Sequence, residues 1–320
     1  MSKDPLGAIA RISAASLLAI TPEYWQVRSA RDSSVTTLRS EPADFAMKTE
    51  FTTIDGLRIR CARAEAKGRP TLLFLSPLPQ SIYCYDRSWS ALVGEANLVA
   101  IDLPGFGGSE GGMDMMRFDA QSSFLQRAIE HFGLSDVHIV APDVAMPVAL
   151  HYALHREHRA ASLLIGDGPG VLPSNDGSLV RKIVGSAFWR AMVRVNGART
   201  FLASATAVGY LHYRMSVEEL QDYVDSYTGR INQVVAYFAS YPEGLKTIDP
   251  HLESLALPVH IFWGDTDAFL GADNARLLAR RLPHSCATVF ENCGHFCYQD
   301  RTSEFTALLS EWVNTGYRSV

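Results

Sequence analysis

Cysteine is scarce and irregularly placed: five in 320 residues, at 61, 84, 286, 293 and 297, with no CxxC spacing. An odd, sparse set excludes a disulfide framework, and Cys293-Gly-His295-Phe-Cys297 lacks the second ligand pair that a zinc site needs. The thiols are therefore expected to be reduced, no metal is expected, and the expected compartment is cytoplasmic. Long apolar runs are missing too. The stretch 6–20 is mildly apolar, but Arg11 interrupts it, Asp4 and Pro5 precede it, and Pro22 with Glu23 follows where a small-residue cleavage site would stand. It is too short and too polar to span a bilayer, so an amphipathic helix lying on the body is expected, with no stable membrane insertion. Charge is nearly balanced, 29 Lys and Arg against 34 Asp and Glu for a net of −5, and no long run of one sign occurs. That excludes an electrostatic footprint for nucleic acid. No repeat of 20–50 residues is visible, and no glycine-rich loop carries phosphate-binding spacing, so no nucleotide or other cofactor is expected.

What is present has globular proportions: 47% hydrophobic and 20% charged residues. A chain of this length buries roughly three-quarters of its unfolded surface without metal or disulfide staples. From about residue 48, short apolar strands alternate with helical segments. Residues 51–54 and 57–62 flank Asp55-Gly56, a pair suited to a tight primed turn, and read as a hairpin. Strands are expected at 71–75, 97–101, 137–141, 161–165, 258–263 and 287–290. Continuous apolar strands separated by helices predict a parallel sheet covered on both faces, with its chemistry at the carboxyl ends of the strands. Between 165 and 257 the strand rhythm stops. Helical patterns at 180–195 and 216–227 take over, the second opened by the capping-box spacing of Ser216 and Glu219. This predicts a helical lid over the strand ends, hinged at 166–178 and 242–250. The expected organisation is an N-terminal helical extension over 1–47, a core of 48–167 and 251–320, and a cap of 168–250.

Candidate chemistry falls at strand ends. Ala141-Pro-Asp143-Val-Ala145 sits between a strand and a helix, with small residues two places either side of a polar one. Those are the steric needs of a nucleophile elbow, here presenting Asp143 to the N-terminus of the next helix. Gly264-Asp-Thr-Asp267 and Gly294-His295-Phe296 each follow a later strand, so the chain order Asp143, Asp267, His295 is that of nucleophile, acid and base. Asp167 and Asp265 are rival candidates for the acid. In Ser76-Pro-Leu78-Pro79 the prolines lack N–H groups. Leu78, with Val144 after the nucleophile, is therefore the candidate pair of oxyanion donors. His151, His155 and His158, spaced four and three apart, read as a solvated helix end rather than a metal site.

With Asp102-Leu-Pro-Gly-Phe-Gly-Gly-Ser109, the elbow at 143, Trp263-Gly-Asp-Thr-Asp267 and Gly294-His295-Phe296, the chain resembles the α/β-hydrolase superfamily over residues 48–318. The Asp at the elbow resembles the epoxide hydrolase and haloalkane or haloacetate dehalogenase branch. Two features depart from the family pattern: Ser76-Pro77 stands where His-Gly is usual, and alanines rather than glycines flank the elbow. The resemblance implies the α/β-hydrolase fold, a mostly parallel central sheet with flanking helices and an inserted helical cap.

An aspartate suits one kind of reaction. Carboxylates, with a reference pKa near 3.9, are ionised at neutral pH without help from a base. Attack on a carbonyl would give only an anhydride, whereas attack on saturated carbon gives an ordinary ester. His295 would then activate water against that ester, with Asp267 orienting the imidazole. The expected reaction is opening of an epoxide on a hydrophobic small molecule to a diol, through a covalent aspartyl ester. A haloalkane or haloacetate dehalogenase, or a non-hydrolytic ligand-binding member, is the alternative. An epoxide oxygen needs a proton donor, and the family takes it from cap tyrosines. Tyr237 is the first candidate, with Tyr213 or Tyr210 as the second. In the haloalkane dehalogenases that the elbow resembles, side-chain donors after the nucleophile and on the oxyanion loop hold the halide, and Val144 and Leu78 cannot supply them. Leu78, Val144, Phe296, Phe269 and Trp263 predict an apolar pocket. A monomer or homodimer is expected.

Overall fold

A computed structural model describes residues 4–33 and 45–315. The expected linker within 1–47 lies largely outside the described residues. In chain order the strands are β1 (Thr49–Ile54), β2 (Leu57–Ala64), β3 (Thr71–Leu75), β4 (Asn97–Ile101), β5 (Val137–Pro142), β6 (Ala160–Gly166), β7 (Val259–Gly264) and β8 (Ser285–Phe290). The helices are α1 (Ala8–Leu18), α2 (Pro22–Ser33), α3 (Asp86–Leu92), α4 (Phe118–His131), α5 (Ala145–His155), α6 (Ser178–Gly185), α7 (Ala187–Gly209), α8 (Val217–Tyr227), α9 (Ile231–Ile248), α10 (Asp273–Arg281), α11 (Cys297–Asp300) and α12 (Thr302–Thr315). Among the described residues the strands form one sheet in the order β1-β2-β4-β3-β5-β6-β7-β8. β2 runs antiparallel to both β1 and β4, and the remaining pairs are parallel. The β1–β2 turn takes positive φ at Asp55 (54°) and Gly56 (78°), as a primed hairpin turn demands.

Strand periodicity builds two cores. Leu73, Ile139, Leu163 and Ile261 point to one face of the sheet, and their neighbours Phe74, Val140, Leu164 and Phe262 to the other. Every residue of β5 is buried, because helices cover both faces of this central strand. α5 is buried along nearly its whole length, which puts its N-terminus, and the residue before it, at the middle of the molecule.

Between β6 and β7 the chain forms the cap helices α6 to α9. The capping box at the start of α8 is complete: Ser216 Oγ accepts from Glu219 N–H at 3.1 Å, and Glu219 Oε2 accepts from Ser216 N–H at 2.9 Å. Three expectations need correction. The helix expected over 180–195 is two helices, broken at Ser186, and α7 itself kinks at Gly197 (φ 73°). The hinge expected at 242–250 is instead the end of α9, which runs through Pro242. Buried Leu245 and Ile248 anchor that last turn, and their packing outweighs the hydrogen bond the proline cannot make. The histidines 151, 155 and 158 are not all solvated: His151 is buried, shares a hydrogen bond of 2.8 Å with Ser122 Oγ, and has its pKa pushed down by burial to about 4.

Candidate active site

The four chain segments singled out at strand ends converge at the carboxyl edge of the sheet. Asp143 follows β5 in a left-handed conformation (φ 50°), its N–H donating to Gly166 O at 2.8 Å. This is the strained turn an elbow requires, and it holds only because small groups surround it. Gly168 shows how tightly: a Cβ there would stand 2.2 Å from Asp143 O and 2.7 Å from Met146 Cβ. Asp143 Oδ2 accepts from Leu78 N–H at 2.7 Å. The Leu78 loop is pinned in turn, since Ser76 Oγ accepts from Leu103 N–H at 3.0 Å.

The other carboxylate oxygen, Asp143 Oδ1, faces His295 Nε2 at 3.6 Å. His295 Nδ1 lies 2.8 Å from Asp267 Oδ2. Asp267 is fixed from behind, its Oδ1 accepting from Phe269 N–H at 2.8 Å and Leu270 N–H at 3.0 Å. Burial alone would depress the His295 imidazolium, but the flanking carboxylates of Asp267 and Asp143 override it and raise its pKa well above the usual value.

The two rival acids do other work. Asp265 accepts from the N–H groups of Asn292 and Cys293, at 2.8 and 2.9 Å, and so shapes the turn after β8. Asp167 is fully buried behind the site, accepting from Cys297 Sγ at 2.9 Å, and burial pushes its carboxyl pKa well above the usual range.

An apolar cavity with about 1050 Å³ of empty space, its mouth included, opens over Asp143 and His295. Leu78, Phe269 and Phe296 line it from the core; Met192, Phe201 and Phe238 line it from the cap. The side chains of Val144 and Trp263, expected there, lie elsewhere. Val144 is wholly buried under α5, and Trp263 Nε1 donates to Leu270 O at 2.8 Å within the core. The N-terminal segment reaches the site as well, through Leu17 and Leu18 of α1.

The tyrosines sort differently from expectation. The Tyr237 hydroxyl donates to Val144 O at 2.7 Å, beneath the elbow rather than in the cavity. Tyr213 donates to Glu219 Oε1 at 2.6 Å, and Tyr210 to Gln299 Oε1 at 2.5 Å. These hydroxyls are drawn off by buried acceptors, which a buried phenol must find. Tyr241, one helical turn beyond Tyr237 on α9, lines the cavity with Asp143, and its buried hydroxyl makes no hydrogen bond to any described residue. Burial and the neighbouring Asp143 hold its pKa well above the usual value, so the phenol keeps its proton.

Asp300, which carried no signal in the sequence, sets the position of the histidine loop. Its carboxylate accepts from Gly294 N–H at 2.9 Å and from the N–H groups of Leu211, His212 and Tyr213 at 2.6, 2.9 and 2.8 Å. One buried aspartate thus ties the loop before His295 to the chain leaving α7. Among the described residues no group of three or more His, Cys, Asp or Glu side chains is arranged to hold a metal ion.

Comparison with known proteins agrees with this geometry at the level of the family. Residues 70–302 match the family model described as alpha/beta hydrolase fold. A soluble epoxide hydrolase from Corynebacterium sp. (strain C12) is 25% identical over 276 residues, covering 80% of this chain and 94% of that protein. The monoacylglycerol lipase ABHD6 of Bos taurus is 22% identical over 231 residues, 68% of this chain and 67% of its own. Among solved structures, a loop variant of a haloalkane dehalogenase from Bradyrhizobium elkanii superposes with a TM-score of 0.73 at 19% identity, covering 85% of this chain and 98% of that one. With strand order, elbow and a family match over most of its length in agreement, the chain belongs to the alpha/beta hydrolase fold family.

Proposed function

We propose that this hydrolase opens an epoxide on a hydrophobic small molecule to a diol through an ester on Asp143. The observation that carries the reading is a carboxylate at the elbow with its two oxygens differently engaged, in a cavity that an unpartnered phenol also lines. Oδ2 accepts from Leu78 N–H while Oδ1 lies towards His295, and Tyr241 lines the same cavity.

Asp143 Oδ1 attacks an epoxide carbon. The carbon–oxygen bond breaks, and the departing oxygen takes the Tyr241 proton. Ester formation removes the charge of Asp143, one of the carboxylates that favour the imidazolium, so His295 releases its proton to solvent more readily and stands as the neutral imidazole that can take one from water; it regains that proton when Asp143 ionises again. His295 takes a proton from water and the hydroxide adds to the ester carbon, Oδ2 becoming an oxyanion held by Leu78 N–H. Collapse expels the second diol oxygen, which takes the proton from His295. The regenerated carboxyl of Asp143 returns its proton to the Tyr241 phenolate. A halide would leave beside Leu78 and Val144, whose side chains carry no donor, and this favours the epoxide over the halide. The apolar lining supports a hydrophobic substrate.

A single turnover in heavy-oxygen water tests the reading. The label is expected in Asp143 and not in the diol, and a His295→Gln variant is expected to accumulate the ester on Asp143. A labelled diol in the first turnover would mean that Asp143 acts as a base on water, and the ester mechanism would fall.

A further inference from the structure

The helices that wall the cavity are apolar on both sides. α7 turns Trp189, Met192, Val193 and Asn196 to the cavity. Phe188 and Val195, seven residues apart and so on one stripe, are 66% and 84% exposed. α1 is built inside out. It buries Ala10, Ala14 and Leu18 and exposes Ile9 by 82% and Ile12 by 66%. Ile20, just past its end, and Trp25 on α2 are exposed as well. A helix lying on a water-facing surface ordinarily turns its bulky aliphatics inward. Here alanines face the body and isoleucines face out.

The charge on α6 and α7 is one-sided. Residues 178–209 hold Arg181, Lys182, Arg190, Arg194 and Arg199 and no Asp or Glu, in a chain whose net charge is −5. Arg181, Arg194 and Arg199 are exposed, as is Arg28 on the adjoining α2, while Arg11 is held by Asp4. Of the acidic residues on the two N-terminal helices and just before them, Asp4 pairs with Arg11 at 2.8 Å, Glu23 accepts from Ser178 N–H and Oγ, each at 2.6 Å, and Asp32 falls at the end of α2.

We propose that this α1–α7 face docks peripherally on an anionic phospholipid surface. Ile9, Ile12, Ile20, Trp25, Phe188 and Val195 enter the acyl boundary, and the arginines meet the headgroup phosphates. The same helices line the cavity, with Leu17 and Lys182 in its wall, so apolar substrate would enter it from the lipid. Charge decides the occupant. In a two-fold dimer a residue on this face meets the same face of its copy, so the basic cluster would oppose itself. Anionic lipid supplies the complement. Among the described residues no helix is long and apolar enough to cross a membrane, and the association proposed is with one surface only.

Sedimentation of the full chain with phosphatidylcholine vesicles, with and without phosphatidylglycerol, tests this independently of any catalysis. Association is expected with the anionic vesicles and is expected to fall as salt rises. The pairs Ile9→Ser with Ile12→Ser, and Phe188→Ser with Val195→Ser, should each weaken partitioning at least about tenfold while leaving the melting temperature near that of the parent. Arg194→Glu with Arg199→Glu should remove the preference for phosphatidylglycerol. Failure to sediment with anionic vesicles at low salt, or serine variants that bind as the parent does, would overturn the proposal. So would a concentration-dependent dimer, seen by light scattering, that the Phe188→Ser and Val195→Ser pair dissociates.

Discussion

Two tyrosines a single helical turn apart on α9 are expected to respond in opposite ways to the loss of one oxygen. Tyr241 carries a buried hydroxyl with no described partner, a situation that costs the folded state about 1–3 kcal/mol. Tyr241→Phe removes that penalty and leaves the ring packing intact. The melting temperature should hold or rise, by roughly 2 °C for each kcal/mol recovered. The same change removes the proton donor for the departing oxygen, and ester formation should slow about a hundred- to ten-thousand-fold. Tyr237 donates to Val144 O at 2.7 Å, so Tyr237→Phe leaves a buried carbonyl unpaired and should cost about 1–3 kcal/mol of stability. Its effect on ester formation should be far smaller, because its oxygen lies beneath the elbow. Stopped-flow measurement of single turnovers of an apolar aryl epoxide, beside thermal melts of both variants, reads the two quantities separately. A Tyr241→Phe enzyme of undiminished rate would refute the assignment of the donor. A Tyr237→Phe enzyme slower than Tyr241→Phe would show that the cavity was misread.

Three further substitutions probe the site. Asp267→Asn removes the nearest carboxylate that raises the His295 pKa, so the acid limb of ester hydrolysis should move to lower pH and its plateau should drop, as a pH–rate profile will show. Because the folded-state pKa of His295 is raised, its contribution to stability is complete below the ordinary histidine value of about 6.5 and is lost as pH rises through the folded value; the stability lead of the parent over Asp267→Asn should shrink on raising pH. Gly168→Ala puts a Cβ 2.2 Å from Asp143 O, against backbone, so a destabilisation of about 1–3 kcal/mol or more and loss of turnover are expected in denaturant titration and assay. Asp300→Asn leaves one acceptor oxygen where two now serve the N–H groups of Gly294, Leu211, His212 and Tyr213; hydrogen exchange at 209–213 and 292–296 should rise, with kcat falling as the histidine loop loosens.

The strands were legible because each is a short apolar run whose burial is local in origin. β3 and β4 fall where the pattern predicts, at Thr71–Leu75 and Asn97–Ile101. Asp143 and His295 were legible because the elbow leaves a steric signature, small residues around one polar one, and because each segment follows a strand. Asp267 was distinguishable from Asp265 and Asp167 only by spacing, since all three are aspartates near strand ends. Its contact with His295 Nδ1 is a fact of folding. The cap tyrosines were the least legible. A helix rotates by about 100° per residue, so Tyr237 and Tyr241 lie close in direction, and only the distribution of buried acceptors separates them. Val144 O takes one hydroxyl and leaves the other buried without a partner, on a side chain that lines the cavity.

The parallel sheet and the carboxylate at the elbow were written in the sequence because each rests on residue types and spacings within about a dozen positions, and the inserted cap because the strand rhythm stops between 165 and 257. The three-dimensional packing settled which aspartate meets the imidazole, which of the two α9 tyrosines keeps an unpartnered hydroxyl in the cavity lining, that Asp300 holds the histidine loop, and that α1 joins the cavity wall with its isoleucines facing outward. Most of those pairings join residues tens of positions or more apart, Asp267 to His295 and Asp300 to Leu211 among them. What selects among chemically identical candidates is the direction of a side chain and the partner it finds on another element, and neither is written into the local pattern.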